Sequence, residues 1–151
     1  MKKGVVVMLL TIFIYIHVLS AVVSVGPLIA LLPLLGKMEK TEIDQLGGFV
    51  QAFQTSITVV KHAGHVLVIS GVILIGISAW TWTTSWVVMT VAVMIGSIVF
   101  LARAFKPTLK TFGTATFHKD QFIAKLRKST IIYISLLLIM LWLMVAKPTI
   151  W

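Results

Sequence analysis

The chain has 151 residues, 59% of them hydrophobic and 11% charged, with a mean hydropathy of +1.07. Soluble domains carry about 25% charged residues, so there is too little polar surface to coat a globule in water. A soluble enzyme, a disordered chain and a free nucleic-acid-binding domain are excluded. Thirteen Lys and Arg against four Asp and Glu give a net charge of +9, and the absence of cysteine removes disulfides, Cys-based zinc sites, iron–sulfur clusters and thiol nucleophiles.

Three uncharged runs stand out: Gly4 to Leu35, 32 residues; His62 to Ala102, 41 residues; and Ser129 to Ala146, 18 residues. One crossing of a bilayer needs about 20 apolar residues, so the second run reads as two spans. The segment Trp80-Thr81-Trp82-Thr83-Thr84-Ser85-Trp86 is then the hairpin between them, with its tryptophans in an aromatic belt at the water interface. The expected architecture is all-α, a single transmembrane four-helix bundle over residues 1–151 with spans near 5–32, 60–80, 86–105 and 129–147. The first run follows Lys2-Lys3 but is too long for a signal peptide and has no cleavage-site pattern, so it is read as a retained span. Pro27 and Pro33 are expected to kink or end it near its far end.

The basic residues flank the apolar runs, which suits anionic headgroups and membrane topology rather than nucleic acid. One side holds Lys2, Lys3 and Lys147. The other holds Lys37, Lys40, Lys61, Arg103, Lys106, Lys110, Lys119, Lys125, Arg127 and Lys128. Three against ten places both termini outside, in a multi-pass protein of the bacterial cytoplasmic membrane.

Between the first two spans Ile43, Leu46, Val50, Phe53, Ile57 and Val60 recur at spacings of 3, 4, 3, 4 and 3, a helical stripe. Thr41 and Asp44 resemble a capping box. The second helix is therefore expected to begin near Glu42 and to extend into the cytoplasm over about 42–60. Its stripe would either pack on Phe122 and Leu126 before the fourth span or lie on the headgroups. The Thr-, Gly- and Lys-rich stretch from Lys106-Pro107 to His118 reads as loop.

No Asp or Glu lies within a span, which argues against a proton-coupled pump, and no nucleophile–base–orienter set is visible. The informative polar groups are His17, His62 and His65. His17 lies 14 residues from Lys3 and His65 lies 15 from Trp80, so both sit about 21–23 Å below the outer surface. Two imidazoles at one level are what a bis-histidine haem b requires. Ser20, Ala21 and Ser24 on the His17 side would leave room for a macrocycle. Gly64, Gly71 and Ser78 form a separate small-residue stripe that reads as helix packing. Lys61, Arg103 and Lys106, with His62, are positioned to meet propionates. Each residue also has a plain reading. The histidines suit interhelical hydrogen bonds, the cations suit membrane anchoring, His118 suits a solvated loop, and Met89, Met94, Met140 and Met144 suit gap filling rather than copper binding.

Helix one reads Ile16-His17-Val18-Leu19-Ser20-Ala21-Val22-Val23-Ser24-Val25-Gly26-Pro27. It resembles the H-x-x-x-A-x-x-x-x-G first helix of small bacterial membrane proteins that include the CopD domain and the HemJ-type protoporphyrinogen oxidases. The resemblance implies a haem-b or copper-associated bundle, with His17 as the carried-over ligand and His65 as its possible partner. The leading expectation is a haem protein of electron transfer or haem handling, its metal held by His17 and His65. The alternatives are a non-catalytic accessory or assembly subunit, paired with another membrane protein or with its own copies, and a small solute or metal carrier.

Overall fold

In hydrocarbon a backbone N–H or C=O has no water to bond, so a spanning segment closes its hydrogen bonds within itself. The computed structural model describes residues 2–150, with side chains from residue 4, and is built on that rule. It is all-α, with helices α1 (Lys2–Lys40), α2 (Leu46–Ile77), α3 (Ser85–Lys110) and α4 (Lys119–Ala146) and no strand among the described residues. A 3-10 turn, Ile43–Gln45, precedes α2. All four helices are long and apolar enough to cross a membrane, so the chain is a multi-pass integral membrane protein.

Two boundary expectations are corrected. α1 does not end at Pro27 or Pro33 but runs through both to Lys40. Each proline removes one hydrogen bond, whereas ending the helix in lipid would strand several. Likewise α3 continues through Pro107 to Lys110, and the loop is confined to residues 111–118, where Gly113 takes a left-handed φ of 77°.

The capping box does not form. Thr41 Oγ1 donates back to the Lys37 carbonyl at 2.8 Å, and Glu42 caps the 3-10 turn without a side-chain bond, so α2 proper starts at Leu46. The apolar stripe is nevertheless a packing face. Leu46, Val50, Phe53 and Val60 are buried with Leu35 and Met38 of α1 and with Phe122 and Leu126 of α4. Ile43 alone of the stripe stays exposed.

The helices pack in the order α2–α1–α4–α3, α1 lying mainly against α2 and α4 touching both α1 and α3. α2 and α3 have little direct contact, although the rings of Phe53 and Phe105 meet at 6.0 Å. Phe105 also meets Phe100 and Tyr133 edge to face, at 6.4 and 6.1 Å. Core side chains on α1 begin only at Ser20, and the apolar residues Val5 to Leu9 are all exposed.

Both ends are fastened. At the tryptophan end, Lys147 adopts a left-handed cap (φ 45°) and sets its ammonium 5.3 Å from the Trp80 ring and 5.8 Å from Trp86. Ser85 Oγ donates to the Pro148 carbonyl at 2.8 Å and accepts from the Ile150 N–H at 3.0 Å. At the basic end Phe112, Phe117 and Phe122 close the α3–α4 loop, with centroids 5.2 to 6.0 Å apart. There Lys119 Nζ donates to the carbonyls of Glu39 (2.8 Å) and Thr41 (2.6 Å), and Arg127 pairs with Glu39 at 2.9 Å. A cation on the last carbonyls of α1 also suits the negative end of its dipole. Lys119→Met should therefore lower stability by about 1–3 kcal/mol, read as an earlier melt in detergent and faster amide exchange over residues 39–45.

Candidate functional site

The α1–α2 seam holds the first polar contact in the membrane. His17 Nδ1 lies 2.9 Å from Ser70 Oγ. The Ser70 hydroxyl sits 2.8 Å from the Val66 carbonyl and 3.0 Å from that of Leu67. With its single proton given to the backbone, it accepts from His17 Nδ1–H and leaves Nε2 as the acceptor nitrogen. The ring lies against Gly71, where an added Cβ would stand 3.1 Å from His17 Cε1. Gly71 is thus the packing glycine its stripe implies, whereas a Cβ at Gly64 or Gly76 would meet nothing within 4 Å.

His65 is not brought to His17. It precedes Ser70 by five residues, about 7.5 Å along the helix and 140° around it, and is exposed on another side of α2. A haem shared by the two would need both ring nitrogens on one iron with the macrocycle between them. The direct packing of His17 on Gly71 leaves no slot for one, so the pair does not fit that group. Ser20 and Ser24 are buried rather than lining a gap at His17, and Ser20 Oγ bonds back to the Ile16 carbonyl at 2.7 Å.

The other expected residues separate into two places. His62 and His65 are neighbours on α2, with ring centroids 6.2 Å apart, and both are exposed. Lys61 is exposed beside them, while Arg103 and Lys106 are exposed on α3. None of these cations has an acidic partner, because the one ion pair among the described residues is Glu39–Arg127. His118 is in the loop, its Nδ1 3.0 Å from the Thr116 carbonyl. Met94 and Met144 pack partly buried against the core and Met140 lies within it. No group of three His, Cys, Asp or Glu able to hold a metal occurs among the described residues.

A polar stripe on α2 escaped the reading of histidines alone. Gln51, Thr55, Thr58, His62 and His65 fall at i, i+4, i+7, i+11 and i+14, and all are exposed. They lie opposite the face carrying Phe53, Val60, Ala63, Leu67 and Ser70, which is buried. Thr55 and Thr58 bond back to the carbonyls of Gln51 and Gln54 at 3.0 and 2.9 Å, so their oxygens keep only acceptor capacity. The amides of Gln51 and Gln54 have no partner among the described residues. The signal lay in the sequence, since residues 45–60 carry no charge at all yet repeat polar side chains at helical spacing.

Beside this stripe, where α2 and α3 part, a lateral cleft of about 80 Å³ opens. Lys61, Gly64, His65 and Val68 of α2 face Met94, Ser97 and Leu101 of α3 across it, and Ser24 of α1 with Tyr133 and Leu137 of α4 line it too.

No family model, curated protein or solved structure matches the chain. None of these comparisons places it among the CopD-like or HemJ-like proteins.

Ser70→Ala should cost about 0.6 kcal/mol, and at most about 1.7, the range for interhelical hydrogen bonds in membranes. Gly71→Ala should cost more, because its methyl would stand 3.1 Å from His17 Cε1 and the ring, held at Nδ1 by Ser70, must give by a few tenths of an ångström. Melting both variants in the same detergent checks the order. If Gly71→Ala proves the milder of the two, the seam is not held by close approach.

Proposed function

We propose that this chain is a non-catalytic subunit of a larger complex in the bacterial cytoplasmic membrane, docked through the outward face of α2 on a helix of another membrane protein. The observation that carries this reading is the stripe from Gln51 to His65, which spans about 21 Å along the helix and faces away from the chain's own core. A helix lying on headgroups presents Lys and Arg on its polar face, whereas residues 45–60 present Gln, Thr and Ser. Such side chains join helices by hydrogen bonds. His65 lies one turn further into the lipid than Lys61, and an imidazole there is costly against lipid and calls for a partner.

The partner helix carries a carboxylate. His62 and His65 offer N–H donors that a carboxylate accepts, and the acidic residues of this chain, Glu39, Glu42, Asp44 and Asp120, all lie outside the stripe. A second copy would bring the same imidazoles and no carboxylate at this level, so complementarity favours a different protein. The imidazole pair is used here as a recognition element, and the reading assigns it no haem or electron-transfer step.

A photo-crosslinking amino acid at Thr58, compared with one at the exposed Ile131 of α4, tests this in intact cells. The expected product at Thr58 joins this chain to a helix of another membrane protein that bears Asp or Glu. Its yield should fall roughly five- to thirtyfold in the His62→Leu/His65→Leu double variant, as for the loss of one or two kcal/mol. Products made only of two copies of this chain, or equal yields from Thr58 and Ile131, would overturn the proposal.

A further inference from the structure

We infer that the cleft between α2 and α3 is a binding site for one anionic phospholipid of the leaflet at the basic end, its phosphate at Lys61 and part of one acyl chain between the helices. The site borders the docking stripe at His65 but is argued from the cleft itself and does not depend on that reading.

Ser24 is the first argument. Most serines in these helices satisfy their own hydroxyls. Ser20, Ser56, Ser70, Ser97 and Ser135 each bond a carbonyl three or four residues earlier, at 2.7 to 3.0 Å. Ser24 is 2% exposed, lines the cleft, and its Oγ has no partner. A buried hydroxyl left unpaired is costly, so the wall of the cleft presents a polar atom that a ligand oxygen would satisfy. Tyr133 also lines the cleft, and its hydroxyl makes no hydrogen bond among the described residues.

Charge and shape supply the second argument. The floor is apolar, formed by Leu67, Leu137 and Met140, and the exposed Lys61 and His65 stand at its edge. The nearest charged residue of α3 is Arg103, so nothing acidic faces Lys61 across the cleft. An apolar slot with a cation at the headgroup level is complementary to an anionic lipid. The size fits a chain and not a ring system. A cavity of about 150 Å³ takes a benzene, and 80 Å³ takes a few methylenes. Gly64 borders open space, because a Cβ there would meet nothing within 4 Å.

The test uses the full chain in nanodiscs of phosphatidylcholine with a minor fraction of phosphatidylglycerol, and native mass spectrometry counts the lipid retained on release. The expected result is one phosphatidylglycerol per chain. Lys61→Gln should cut its retention about fivefold, the effect of one basic residue near a membrane surface. Lys110→Gln, outside the cleft, should not change it. Gly64→Leu, which fills the slot, should lose retention while Gly64→Ala keeps it, and Lys61→Gln keeps the test valid if the leucine variant fails to fold. Equal retention of the two lipids, or equal losses in Lys61→Gln and Lys110→Gln, would overturn the inference and leave an unspecific basic surface.

Discussion

Hydrocarbon offers no partner to a peptide group, and the rest of this structure follows from that constraint. It makes α1 continuous through Pro27 and Pro33, and it turns hydroxyls inward onto their own helices, as at Ser20, Thr90, Ser97 and Ser135. It also confines irregular backbone to the two ends, where Lys119, Lys147 and Ser85 receive the carbonyls and rings that the helices leave over. Packing between helices can then be sparse. α2 and α3 stand apart without exposing a backbone group, and the cleft between them is a consequence of that freedom.

Composition and run length made the fold class legible, because 151 residues with so few charges have one solution in water, which is to leave it. The helix ends on the basic side were not legible. Charge was taken to mark where a helix leaves lipid, but a helix does not stop at the lipid boundary. α3 carries Arg103, Lys106 and Lys110, and α4 begins at Lys119, ten residues ahead of its apolar run. Lys119 earns its place in α4 through the α1 carbonyls, a contact 78 to 80 residues distant that no local pattern shows.

The candidate site was half legible for a similar reason. Counting residues from an interface fixes the depth of a side chain, and by that count His17 and His65 share a level. Direction around the helix turns by about 100° per residue, and it depends on which face of α2 is packed. Ser70 and Gly71 are the residues that meet His17 across the seam, one as a hydrogen-bond partner and one as an absence of side chain. The periodicity of Leu46, Val50, Phe53 and Val60 already indicated the packed face. Extended along α2, it would have put Ala63, Leu67 and Ser70 on the inside and His65 on the outside.

The two surfaces of α2 meet at His65, which ends the polar stripe and also borders the cleft. They remain chemically distinct. The stripe is a row of amides, hydroxyls and imidazoles that reach a partner only by close helix approach, so its recognition is short-ranged and sensitive to shape. The cleft combines an aliphatic floor with one long, flexible cation, and Lys61 can follow a headgroup without moving the backbone. A helix seated over Gln51 to His62 would cover one flank of α2 and leave the α3 side of Lys61 open. Lipid binding and docking are therefore compatible on this one helix, and His65 is the side chain through which either would be felt by the other.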